Sequence, residues 1–115
     1  MSSINKVNKG YRFEKWCRDK LKSEGWLIGF KSQRIRFGKI DFFSLFDIVA
    51  FRNHTTHIEI EKERLYISCK VLDKGHGWLK QHKTAISEFK NNHGLEGERF
   101  EIWVKEEKLI RAICV

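Results

Sequence analysis

Asp47 stands inside the most apolar stretch of the chain, Leu45-Phe46-Asp47-Ile48-Val49-Ala50-Phe51. An ionised carboxylate taken out of water costs several kcal/mol unless a cation or hydrogen bonds compensate it. Two kinds of partner are open to Asp47: a hard metal ion, or a backbone amide or arginine at a strand end. Further along, Lys70 closes Ile67-Ser68-Cys69-Lys70. Strand alternation puts it on one face with Tyr66 and Ser68, while Leu65, Ile67, Cys69 and Val71 form an apolar opposite face. Beside a metal-bound water such an ammonium positions a nucleophile or stabilises charge developing on a phosphate; at a sheet edge it snorkels to solvent. The third candidate, Glu14, lies one position off the apolar stripe of an opening helix. Taken alone, a helical glutamate reads as solvated.

The elements that must position these residues are legible from periodicity. From Asn8 to about Glu24, Tyr11, Phe13, Trp16, Cys17 and Leu21 recur at helical spacing, with Asn8 as a cap and Gly25 as the permissive residue that follows a helix end. Trp26 to Phe30 reads as a strand, followed by a basic connection through Lys31, Arg34, Arg36 and Lys39. Phe42 to Phe51 is near-continuously hydrophobic, the pattern of a central strand buried on both faces. Arg64 to Val71 alternates as a strand. Trp78 to about His93 carries Trp78, Leu79, His82, Ala85, Ile86 and Phe89 at helical spacing, with Gly94 at its end. Phe100 to Val104 and Leu109 to Ile113 flank the polar Lys105-Glu106-Glu107-Lys108, a β-hairpin pattern. The expected order is α-β-β-β-α-β-β, an α/β fold.

At 115 residues, with no proline, repeat or low-complexity tract to mark a boundary, residues 1–115 read as a single domain. Hydrophobic residues at 41% supply enough apolar material for a core, so disorder is excluded. No apolar run is long enough to span a bilayer and the N-terminal residues lack a secretory pattern, which gives an expectation of no membrane and a cytoplasmic location. Cys17, Cys69 and Cys114 are odd in number and set in apolar patterns, as reduced core residues of a cytosolic protein would be. The five histidines and three cysteines include no Cys-x-x-Cys pair, which argues against zinc, and Gly75-His76-Gly77 is too short for a phosphate loop. A formal net charge of +8 attracts polyanions. The basic residues expected to meet a phosphate backbone are Lys9, Arg12, Arg34, Arg36 and Lys39 near the site, with Lys74, Lys80 and Lys83 around the second helix.

Together, Gly10-Tyr11-Arg12-Phe13-Glu14 on an opening helix, Asp47 in its apolar strand and Lys70 at the end of Ile67-Ser68-Cys69-Lys70 resemble the spaced signature of PD-(D/E)XK nucleases. The likeness is to the small Holliday-junction-resolvase-like branch and its phage relatives, and it spans about Asn8 to Phe89. The resemblance implies a restriction-endonuclease-like core, a mixed central β-sheet flanked by helices. It implies a Mg²⁺-dependent endodeoxyribonuclease, Mn²⁺ substituting, acting on duplex or branched DNA as a two-fold homodimer. Glu14, Asp47 and the backbone carbonyl of Cys69 would hold the metal, Lys70 would stand beside the attacking water, and Ser68 takes the position of the usual acidic residue. A hydroxyl carries no charge, so metal affinity should fall with the lost anionic ligand. Asp41, Glu59, Glu61 or Glu63 could supply that carboxylate instead. The alternative is a non-catalytic nucleic-acid-binding module that kept the fold and basic surface.

Overall fold

The structure, a computed structural model, describes residues 2–31, 33–35, 38–40, 45–55, 60–72, 77–94 and 97–115; residues 2–9, 33–35, 38–40, 54–55, 60–61, 72 and 77–78 are described by backbone alone. The first helix, α1, spans Ser2–Ser23. Phe13, Cys17 and Leu21 fall four residues apart, so they share one face and are buried together. The helix begins six residues before Asn8, so Asn8 lies within it and is no cap. Its end follows the Schellman pattern: Trp26 N–H donates to Leu21 O at 3.0 Å and Gly25 N–H to Lys22 O at 3.1 Å, with Gly25 at φ 90°. Leu21 and Trp26 then enter the same core cluster, which sets the angle at which the chain turns into the sheet.

Five strands form one mixed sheet: β1 (Leu27–Lys31), β4 (Ile48–Thr55), β5 (Ile60–Leu72), β6 (Glu98–Glu106) and β7 (Leu109–Cys114), in that spatial order. Neighbours are antiparallel except β5 and β6. Parallel strands need a long crossover, and the second helix, α2 (Gly77–His93), supplies it. The basic connection after β1 folds into a separate hairpin that periodicity did not suggest, β2 (Gln33–Ile35) with β3 (Gly38–Ile40), in which Arg34 and Lys39 are direct partners. Three-residue strands are too short to show an alternation. The α-β-β-β-α-β-β order therefore holds for the main sheet alone. β1 is irregular between Ile28 and Phe30, where the Phe51 ring of β4 occupies the space a Cβ on Gly29 would need.

The expected strand over 42–51 starts later and runs further. Residues 42–44 lie outside the described residues, Asp47 sits in a bend just before β4, and β4 continues to Thr55. β5 likewise begins at Ile60, four residues before the clean alternation.

Each sheet face carries one helix. Under α1, Cys17 and Leu21 meet Ile48, Ala50, Leu65, Ile67, Cys69 and Trp103. Under α2, Leu79 and Ile86 meet Phe46, Val49, Tyr66, Phe100, Ile102 and Val104. Tyr66 and Phe100 stack at 4.9 Å between centroids, and Phe46 bridges them to Phe89 of α2 at 5.5 Å. Cys17 and Cys69 are core residues as expected, whereas Cys114 is exposed on the edge strand β7. No helix among the described residues is long and apolar enough to cross a membrane.

Ile86 is fully buried and seats α2 on the sheet. Ile86→Ala should lower unfolding free energy by about 2–5 kcal/mol, measured by urea denaturation; a change below 1 kcal/mol, roughly what a loosely seated side chain gives, would contradict this packing.

Candidate active site

β5 is bonded to β4 on one side and to β6 on the other, so its backbone is committed to the ladder and its side chains are placed accurately. At its C-terminal end stand Ser68, Cys69 and Lys70; across from them is the bend that precedes β4. Asp47 N–H donates to Ile67 O at 2.8 Å, and Asp47 Oδ2 accepts from Cys69 N–H at 2.6 Å. A backbone amide, one of the two partners left open by the sequence, therefore does hold Asp47. The carboxylate is 2% exposed and fixed at both its main chain and its side chain.

Glu14 reaches the same region from α1. Its residue is 4% exposed, contrary to the solvated reading of a lone helical glutamate. The Cys69 thiol reports the convergence: burial pushes its pKa well above the ordinary value, the adjacent Cys17 adds to this, and the charges of Asp47 and Glu14 push it the same way. Both carboxylates thus lie within Coulombic reach of one sulfur atom. On the other face, Lys70 is half-buried, and Ser68, completely buried, hydrogen-bonds His82 Nε2 at 2.7 Å. His82 comes from α2. Burial lowers its pKa below 6.5, the Lys70 charge lowers it further, and Asp47 opposes both.

The structure therefore brings Glu14, Asp47, Ser68, Cys69 and Lys70 to one end of the sheet and adds His82, which sequence reasoning took for a member of the α2 stripe. The usable signal was the one that flagged Asp47: a titratable group at a position where periodicity calls for an apolar one.

The expected basic residues whose side chains are described lie on both helices. Arg12 is exposed on α1, while Lys80 and Lys83 are exposed on α2 across the sheet. Lys9 lies in α1, and Arg34 and Lys39 face each other across the β2–β3 ladder. Arg36 and Lys74 lie outside the described residues, as do Asp41 and Glu59; the Glu61 side chain is not described. Glu63 is engaged elsewhere, with Arg52 at 3.3 Å and Arg99 at 3.8 Å. It precedes Cys69 by six residues, roughly 20 Å along the strand at 3.3 Å per residue, so it cannot stand in for the missing acid.

Among the described residues no three His, Cys, Asp or Glu side chains are grouped to hold a metal ion. The carboxylates at this end are those of Glu14 and Asp47, with the Cys69 carbonyl as a backbone oxygen. Such oxygens suit Mg²⁺, which binds through one or two carboxylates and keeps several waters. No protein-family model matches this sequence, and no curated protein matches it. What is established is the class: an α/β protein with a five-stranded mixed sheet between two helices, carrying buried polar residues at the C-terminal end of β5.

A folded-state pKa depressed at His82 means that the unfolded chain takes up this proton first as pH falls. Its contribution is complete above 6.5 and is lost below it, towards the lower folded value. Melting temperature should rise from about pH 5 to about pH 7, and His82→Gln should flatten part of that rise. Equal slopes in the two proteins would show that His82 is not held neutral.

Proposed function

We propose that this protein is a Mg²⁺-dependent endodeoxyribonuclease that hydrolyses phosphodiester bonds in duplex or branched DNA, with Glu14, Asp47 and Lys70 at its centre. The observation that supports the reading is that Asp47, buried and held by the Cys69 amide, and the half-buried Lys70 lie at one end of β5, with the buried Glu14 on the helix packed against that strand. The resemblance to PD-(D/E)XK nucleases finds support in the topology. One helix, three antiparallel strands, a crossover helix and a strand parallel to the third follow in the order that a restriction-endonuclease-like core requires. Mg²⁺ held by Glu14, Asp47 and the Cys69 carbonyl would supply a Lewis acid for the phosphate and lower the pKa of a bound water.

The chain's own residues do the positioning. Asp47 cannot swing away, because Cys69 N–H holds Oδ2 and the Asp47 main chain is bonded to β5. Lys70 brings a fixed positive charge to the end of β5, where it stabilises negative charge developing on a phosphate. Lys80 and Lys83 present exposed ammonium groups on the helix that carries His82 and attract the DNA backbone without reading its sequence. Symmetric cutting of a branched substrate requires two such sites, hence a two-fold dimer. The unbridged cysteines suit a reducing cytosol.

A second reading, a DNA-binding module without catalysis, is favoured by one feature. Ser68 is fully buried and its hydroxyl is spent on His82, at the position where the family has an acidic ligand.

Labelled single-stranded, duplex and four-way-junction DNA, incubated with Mg²⁺, Mn²⁺ or EDTA, separates the two. The nuclease reading expects metal-dependent cleavage that falls on the order of 10²-fold or more in Asp47→Asn, which keeps an acceptor for Cys69 N–H but removes the charge, and in Lys70→Ala. Salt-sensitive binding with no cleavage in any metal would establish the module instead.

A further inference from the structure

Trp16 combines exposure with ring contacts on α1. It is 42% exposed, yet its ring stacks on Phe13 at 6.0 Å and meets Trp103 of β6 edge-on at 6.4 Å. The indole is thus held in one orientation with part of its surface open to water. Two clefts flank it, between α1 and the β6–β7 hairpin, of about 420 and 330 Å³. Trp16 and Ile110 line both. Arg12, Lys105 and Lys108 line the first and Lys20 and Arg111 the second, against one carboxylate, Glu107. Lys20 Nζ lies 5.9 Å from the Trp16 ring and 3.2 Å from Glu24 of the next turn.

We propose that this groove binds a single-stranded polynucleotide segment, with a base against the Trp16 indole and phosphates against the surrounding ammonium and guanidinium groups. The charge complementarity selects a polyanion, and a fixed, half-open aromatic ring selects one that also offers flat apolar faces. Nucleic acid combines the two, and only where it is single-stranded are the base faces available for stacking on a side chain. A duplex keeps its base faces stacked on one another.

The position of the groove fits the same conclusion. Val71 and Leu72, the residues that follow Lys70 on β5, are in register with Lys105 and Glu106 at the turn of the hairpin. β7 lies two strands from β5, about 10 Å at the usual strand spacing. The groove, on the α1 face, and Lys70, on the α2 face, therefore adjoin the same end of the sheet, and a strand held at Lys70 can continue around that end to Trp16. This rests on the nucleic-acid part of the function proposed above, but not on cleavage.

The test uses the full chain in EDTA, with labelled oligodeoxyuridylate and oligouridylate of about 15 nucleotides and a duplex of equal length, read by fluorescence anisotropy across a salt series. The wild-type protein should bind both single strands, and a preference for one names the natural sugar. Trp16→Ala should weaken single-strand binding at least about 5-fold, and Trp16→Phe should restore much of it. Lys108→Ala and Arg12→Ala, at exposed positions that line the groove and carry no core packing, should each reduce the slope of log K against log salt by about 0.7. If Trp16→Ala does not fold, this exposed pair decides the matter. Single-strand binding unchanged in these variants, or absent in the wild type, overturns the proposal, as does duplex binding alone. Cleavage by the wild type and by Asp47→Asn, assayed in parallel, bears on the nuclease reading and leaves the outcome at Trp16 unaffected.

Discussion

The Cys69 N–H bond to Asp47 Oδ2, together with the Asp47 N–H bond to Ile67 O, ties the bend before β4 to the end of β5. A hydrogen bond to a carboxylate is worth about 1.5–3 kcal/mol, and at 2% exposure it offsets part of the cost of taking this group out of water. The same contact determines where the site lies. It holds Asp47 at the strand end from which Lys70 projects, and it sets the register that places Ile48 opposite Ile67 under α1. A slip of one residue would turn the apolar face of β5 towards α2 and Lys70 into the core.

Buried Glu101 and the half-buried Glu63 and Glu98 serve the fold. Glu101 receives Arg99 at 2.8 Å and the Trp103 indole N–H at 3.0 Å, and Glu63 takes Arg52 and Arg99. Glu98 accepts the Tyr66 hydroxyl and pairs with Arg64, and burial followed by this contact raises the Tyr66 pKa. These carboxylates are engaged by side chains of the sheet itself. Asp47 differs in accepting from a backbone amide of β5, which costs no side-chain entropy on the donor's part.

The two helices do different work on opposite faces. α1 drives Glu14 towards the sulfur of Cys69 and holds Trp16 over β6, so one helix contributes both to the carboxylate centre and to the aromatic groove. α2 provides the crossover that makes β5 and β6 parallel, and in doing so carries His82 to Ser68. Basic charge is spread over both layers, which suits a polyanion that wraps around one end of the sheet better than one lying flat on a single face.

The sequence by itself determined the two helices, the alternation of β5, the closing hairpin and the anomalous chemistry of Asp47 and Lys70. Each of these is encoded over a few residues, by the 3.6 or 2.0 repeat of the backbone or by a polar group inside an apolar run. Tertiary structure alone decided the rest. Asn8 was not a cap because the helix had already formed upstream, and β2 and β3 were too short to show a period. Glu14 was off the stripe of its own helix, yet it is buried because Cys69 and Asp47 come from strands far along the chain. His82 matched the apolar repeat of α2 and acquired a role only when the crossover set it against Ser68. The groove at Trp16 exists because the hairpin returns beside α1. Such contacts depend on strand order and crossover geometry, which join residues distant in sequence, and no local period records them.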